Sequence, residues 1–192
     1  MKRVITILSA IFLVGGIAVI GAAGLAANDS AIEQGRQYLP DAQKDWQSRS
    51  SDSNAISREI KPGDFLGTIE IPSIRSIINI FEGTSEAELS KGVGHFIQSV
   101  MPGVKDNSVI SGHRDTVFSN LGKVKIGARI VITVESGRYV YQVERIRIVS
   151  SNDRTVIVPT EEATLTLSTC YPFIFVGNAP ERYIVVAKLL SS

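Results

Sequence analysis

A single cysteine, Cys170, stands among 192 residues. That excludes an intramolecular disulfide framework and leaves too few thiols for a structural zinc site. Histidine is almost as scarce: His95 and His113 are the only two, so any chemistry needing an imidazole has just two candidates. Neither sign of charge is in excess, with 20 Lys+Arg against 19 Asp+Glu and a net charge of +1. A nucleic-acid partner is thereby disfavoured, because phosphate recognition needs a clear basic surplus. Sixteen glycines and seven prolines are too few for a collagenous or wholly disordered chain. Phosphate-cradling and dinucleotide glycine motifs are missing as well. The length leaves room for one domain and a short appendage.

What the chain does have is organised in three segments. Val4 to Ala27 carry no ionisable side chain and are rich in Ile, Val, Leu, Ala and Gly. As a helix this run would reach about 36 Å, enough to cross a bilayer core of about 30 Å. Lys2 and Arg3 precede it, which predicts a cytoplasmic N-terminus, a single-pass signal-anchor over 1–27 and export of everything after it. A cleaved signal peptide is the alternative, with Ala22, Ala23, Ala26 and Ala27 as small residues near a cleavage point. The apolar run is longer than a usual secretory one, which favours the uncleaved anchor. Residues 28–60 hold four basic and six acidic side chains and polar runs such as Gln47–Asn54. They are too polar to bury a core and read as an extracellular stalk, with room for a short helix near Ile32–Tyr38.

From residue 61 to 192 short β-branched runs recur between turn residues. The pattern predicts strands over Phe65–Ile71, Ile74–Phe81, Ser108–Ser111, Arg129–Val134, Tyr139–Val149, Thr155–Val158, Thr164–Thr169 and Tyr183–Leu189. Glu135-Ser136-Gly137-Arg138 reads as a hairpin turn, and imperfect alternation over Val140–Ile148 predicts a bulge. Only Ser85–Lys91 and Thr116–Leu121 look helical. Eight short strands predict a mainly β domain, a closed eight-stranded barrel with one or two short helices, and a sandwich is the alternative topology.

Two stretches carry chemistry. Ser111-Gly112-His113-Arg114-Asp115 ends an apolar run, and Thr164–Cys170 is an alternating strand that delivers the thiol at its C-terminal end. Twelve residues later Arg182 opens the final strand. A free thiol ionises near pH 8.5, so a nucleophilic cysteine needs a neighbouring cation, and an imidazole can also return a proton to a leaving amine. A guanidinium keeps its charge and suits an oxyanion or substrate clamp. Cys170, His113 and Arg182 at three strand ends would suffice for acyl transfer. The plainer alternative is a packed Cys170 in a surface-tethered β-domain that binds a wall component. His95, flanked by Gly94 and Phe96, reads as a structural histidine in a loop against the core.

Thr166-Leu167-Ser168-Thr169-Cys170, Gly112-His113 and the strand-opening Arg182 together resemble the sortases, membrane-anchored cysteine transpeptidases of Gram-positive surfaces. The resemblance spans about residues 61–192. Cys170-Tyr171-Pro172-Phe173 and Gly112–Phe118 are similar to class D members, and a pilin-polymerising class C enzyme is disfavoured because the stalk has no obvious lid motif and the chain stops at Ser192. The resemblance implies that Cys170 attacks a Leu-Pro-x-Thr sorting signal, that His113 moves the proton and that Arg182 holds substrate and oxyanion. Acceptors would be an amine of the peptidoglycan precursor lipid II or of a cross-bridge. Thr169, Tyr171 and Pro172 are the implied substrate contacts, beside the loop Tyr171–Glu181. Hydrolysis in place of aminolysis is the enzymatic alternative. No cofactor is required on this resemblance; weak activation by a divalent cation would fall to Asp106, Asp115, Glu161 and Glu162.

Overall fold

A computed structural model describes residues 59–192, apart from 176 and 178. The expected anchor over 1–27, and the expected stalk up to residue 58, lie outside the described residues. Among the described residues no helix is long and apolar enough to cross a membrane.

Eight strands form: β1 (Phe65–Ile71), β2 (Ser76–Glu82), β3 (Val93–His95), β4 (Asp106–Ser111), β5 (Arg129–Val134), β6 (Gly137–Ser150), β7 (Ala163–Tyr171) and β8 (Glu181–Ser191). One short helix, α1 (Glu86–Leu89), joins β2 to β3, and single 3-10 turns occur at Pro72–Ile74 and Leu121–Lys123. The sheet closes in the order β1-β2-β3-β4-β7-β8-β6-β5, with β5 pairing back onto β1. Closure settles the topology as a barrel rather than a sandwich. Among the described residues every strand therefore has a neighbour on both sides, and none is a sheet edge along its whole length.

The interior follows from strand alternation. Ile69, Ile71, Ile80, Ile110, Ile130, Ile132, Leu165, Leu167 and Val185 are fully buried in one continuous core. Removing such a side chain, as in Leu167→Ala, costs about 2–5 kcal/mol because the cavity collapses only in part. Tyr141 is buried with them, and its hydroxyl accepts the Gly103 N–H at 2.7 Å. Burial pushes the Tyr141 phenol above its ordinary value. The hairpin turn falls at Glu135-Ser136, where Val134 pairs with Gly137. The bulge expected in the long strand is present too, as the register of β6 on β8 slips between Val143 and Arg145.

Three expected elements differ. Thr155–Val158 is not a strand but part of the irregular connection between β6 and β7. Its carbonyls are met by a side chain instead of a ladder: Asn107 Nδ2 donates to Val156 O at 3.2 Å and to Val158 O at 3.1 Å. Thr116–Leu121 is a run of turns rather than a helix, pinned by the buried Phe118 and Leu121. His95 lies not in a loop but in the three-residue β3, parallel to β2 and antiparallel to β4. Gly94 makes that possible, since a Cβ there would stand 2.1 Å from Gly83 O.

Candidate active site

Register places the two ends of the site. β7 and β8 are antiparallel neighbours in which Cys170 is directly opposite Arg182. Residues directly opposite share a face with Cβ atoms about 4.5–5.5 Å apart, so thiol and guanidinium stems stand side by side. Leu165, Leu167 and Thr169 are buried on the inward face of β7. By alternation Cys170 points outward, onto the outer wall of the barrel near the strand end.

β4 supplies the histidine. It runs parallel to β7 up to Ser111 opposite Ser168, and Gly112 N–H then donates to Ser168 O at 3.1 Å. Thr169 Oγ1 donates back to Gly112 O at 2.7 Å in a buried bond. A Cβ on Gly112 would meet the Phe118 ring at 2.8 Å, so glycine allows the chain to turn here against the core. His113 follows at once, with its carbonyl accepting the Phe118 N–H at 2.9 Å. Two strands that are far apart in sequence are thus tied together one residue from the thiol and one residue from the imidazole.

His113, Cys170 and Arg182 line one cavity of about 220 Å³, together with Arg114, Asp115, Gly177 and Ala179. Arg182 Nη1 donates to Ala179 O at 3.1 Å and to Glu181 O at 2.9 Å, which fixes the guanidinium plane. Its other N–H donors are spare in number for a ligand oxygen. Arg114 Nη2 donates to Phe175 O at 2.7 Å and Gly177 O at 3.3 Å, and its guanidinium lies 5.8 Å from the Phe175 ring centroid. It straps the β7–β8 connection to the segment that carries His113. With Arg114, Arg182 and Asp115 around it, Cys170 sits in a net cationic surround.

The remaining expected site residues lie elsewhere. Thr169 is 3% exposed and spends its hydroxyl on Gly112. Tyr171 packs in an aromatic cluster with Phe173 and Tyr183, at centroid distances of 5.8 and 6.1 Å, and the Tyr171–Pro172 peptide is cis. Burial, then the Tyr171 phenol, push Tyr183 above its ordinary value. None of Thr169, Tyr171 and Pro172 lines the cavity. The carboxylates considered for a divalent ion are dispersed: Asp106 Oδ1 accepts the Asn107 and Thr160 N–H groups at 2.7 and 2.8 Å, and Glu162 pairs with Lys188. Among the described residues no cluster of three or more potential metal ligands occurs.

His95 stands in contrast to His113. It is 2% exposed, with Nδ1 2.8 Å from Glu82 Oε2 and Nε2 3.0 Å from both Val100 O and Ser99 Oγ. A carbonyl only accepts, so Nε2 carries hydrogen and the ring shares a further proton with Glu82. Sequence reasoning did not pick out Arg114 and Asp115 as cavity residues, although both follow His113 directly. It also gave no sign of Glu86, which approaches His113 from α1.

A thiol, an imidazole and an anchored guanidinium on one outer face of a closed β-barrel define a protein equipped for cysteine-based acyl transfer. Residues 69–190 match the sortase domain model. The chain is 35% identical to sortase D of Bacillus subtilis (strain 168) over 98% of each chain. It is also 31% identical to sortase A of Streptococcus agalactiae, over 65% of this chain and 52% of that protein. Among solved structures it resembles a Clostridium perfringens sortase D5 transpeptidase, with TM-score 0.69, 29% identity and coverage of 83% and 99%. The catalytic domain of B. anthracis SrtD gives TM-score 0.61 and 39% identity, covering 73% of this chain and 97% of that one. This chain belongs to the sortase family. It is a class D-like cysteine transpeptidase.

Proposed function

We propose that the protein fixes secreted surface proteins to the cell wall, with Cys170 as nucleophile, His113 as acid and base, and Arg182 as oxyanion and substrate clamp. The observation that carries this assignment is the shared cavity of His113, Cys170 and Arg182, with Cys170 and Arg182 in register. Cys170 Sγ gives its proton to His113 and attacks the threonine carbonyl of a Leu-Pro-x-Thr signal. The oxyanion forms beside Arg182, whose charge is present before the reaction and needs no reorganisation. The C–N bond to the next residue, Gly or Ala, breaks as His113 returns the proton to the departing amine, leaving a thioester. An acceptor amine, on lipid II or a cross-bridge, then gives its proton to His113, forms the new amide and frees the thiol.

Thr169 serves as a positioning residue in this scheme, since its hydroxyl is committed to the turn before His113. Substrate side chains would lie along the β7–β8 connection that Arg114 straps down, beyond Tyr171 and Pro172. The apolar run Val4–Ala27 supports a single-pass membrane location with the barrel outside, near both membrane-linked clients and lipid II.

Incubation with a Leu-Pro-x-Thr-Gly peptide and a diaminopimelate-type amine tests the reading by mass spectrometry. A thioester on Cys170 and an amide-linked product are expected. Only free carboxylate, with or without amine, would make the protein a hydrolase, and equal cleavage by Cys170→Ala would remove the assignment altogether.

A further inference from the structure

All the residues lining the cavity come from the ends of β4, β7 and β8 and the segments that follow them. One charged group reaches the site from a different wall. Glu86, the first residue of α1, places Oε2 3.3 Å from His113 Nε2. That distance meets an ion pair, yet His113 Nε2 is a buried atom with no hydrogen-bond partner. The contact is therefore the approach of a carboxylate to the ring, off the direction a hydrogen bond requires. It also fixes an orientation, because Nε2 faces α1.

Glu86 is free for this task. The α1 cap is made by its neighbour Glu88, whose carboxylate accepts the Ser85 N–H at 2.9 Å and the Ser85 hydroxyl. Glu86 itself is 81% exposed, and His113 is its one ion-pair partner among the described residues. The position of α1 is set by the wall behind it, where Gly83 N–H donates to His95 O at 2.9 Å and Leu89 packs toward Gly94.

The need for a carboxylate follows from the charges that face His113. Arg114 and Asp115 come from its own segment, Arg182 from β8 and the thiol from β7. Once the ring takes the thiol proton, three cations and a thiolate stand close together, with Asp115 as the one carboxylate among the described residues that line the cavity. We propose that Glu86 is a positioning residue for the acyl transfer, one that holds the His113 ring from α1 and offsets the charge it gains. This inference rests on the role of His113 proposed above. Because the carboxylate is exposed, its influence is modest and screened by salt.

Glu86→Gln keeps the shape and removes the charge. The first measurement is alkylation of Cys170 by iodoacetamide, which needs no peptide; the second is single-turnover acylation by a sorting peptide. At about 20 mM salt both rates are expected to fall roughly threefold to fivefold, and the gap should close near 1 M salt. The peptide KM and the unfolding midpoint should stay at the parental values. In a His113→Ala background Glu86→Gln should have no further effect, since the two act as one unit. Equal alkylation rates at low salt, a deficit that persists at 1 M, or a full effect without His113 would each overturn the proposal. A parent that is alkylated with this Glu86 dependence but never acylated would instead count against the sorting-signal function and leave the Glu86–His113 link standing.

Discussion

The two histidines occupy opposite kinds of ground. His95 lies in the β2–β3–β4 wall, with both ring nitrogens engaged and Glu82 buried against it. His113 sits just past the end of β4, its side chain a third exposed, with Nε2 lacking a hydrogen-bond partner and a cavity shared with a thiol. A fully satisfied ring has no lone pair or proton left to exchange with a ligand, whereas an unsatisfied one retains both. Hydrogen-bond saturation thus separates a histidine that is spent within the barrel wall from one left open to a ligand. Sequence context alone hinted at the distinction, and the geometry gives its cause.

Substitution sharpens the contrast most where the effect is largest. His113→Ala should lower the acylation rate about 10²–10⁴-fold, the usual scale of a lost acid–base group, with little change in unfolding midpoint. His95→Ala should do the reverse, retaining turnover per folded molecule while costing about 3–5 kcal/mol, because Glu82 is left as a buried unpaired charge. Denaturant unfolding beside single-turnover kinetics checks both, and His95→Gln offers a milder version should the alanine variant fail to fold. Comparable stability loss in both variants would erase the distinction.

Arg182→Ala comes next, with an expected loss of about 10²–10³ in kcat, comparable to removing an oxyanion donor. Lysine at the same position keeps the charge but not the planar fork, so Arg182→Lys should recover only part of it. Thr169→Val probes the tie between the two regions. It leaves Gly112 O without its donor in a buried place, and about 1–3 kcal/mol of stability should go with it. The acylation rate should fall as well, because the turn before His113 loosens; crystallography or a KM-against-kcat comparison would show whether the change lies in positioning.

The smallest effect concerns α1. Hydrogen bonds from the Ser85 hydroxyl, then from backbone N–H groups, hold the Glu88 carboxyl below its ordinary value of 4.5, partly opposed by desolvation. A group depressed on folding contributes stability that is complete above its unfolded value and fades as the pH falls through the folded one. Acidification below about 4.5 should therefore loosen the β2–β3 connection, and Glu88→Gln should flatten that part of the stability–pH curve. Hydrogen exchange of residues 83–91 between pH 6 and about 3 would register it.

Much of the barrel was legible because one periodicity governs both pattern and burial. The runs at Phe65–Ile71 and Arg129–Val134 form strands with those very bounds. The count of eight, however, came out right through two errors that cancel. Thr155-Val156-Ile157-Val158 has strong β propensity, but Asn107 satisfies its carbonyls and no partner strand is needed. Val93-Gly94-His95 carries no strand signal in the sequence, because three residues with a central glycine show no alternation; pairing with β2 and β4 makes them a strand, and a Cβ at Gly94 would stand 2.1 Å from Gly83 O. Within the site, the convergence of Cys170, His113 and Arg182 could be anticipated from strand ends. Glu86 could not, since a solvent-facing carboxylate 27 residues from His113 has no local signature; its contact depends on how α1 is seated.

The unbroken ring of strands has a consequence for clients. An extended peptide is the very form that adds itself to a vacant sheet margin through backbone pairing. A barrel in which β5 bonds back to β1 and every described strand has two neighbours presents no full-length margin of that kind. On the function proposed above, an extended client would have little sheet edge to add to, and its hold on the barrel would rest mainly on the cavity and the segments around it, so a finished transfer would leave little to keep the product on the catalyst.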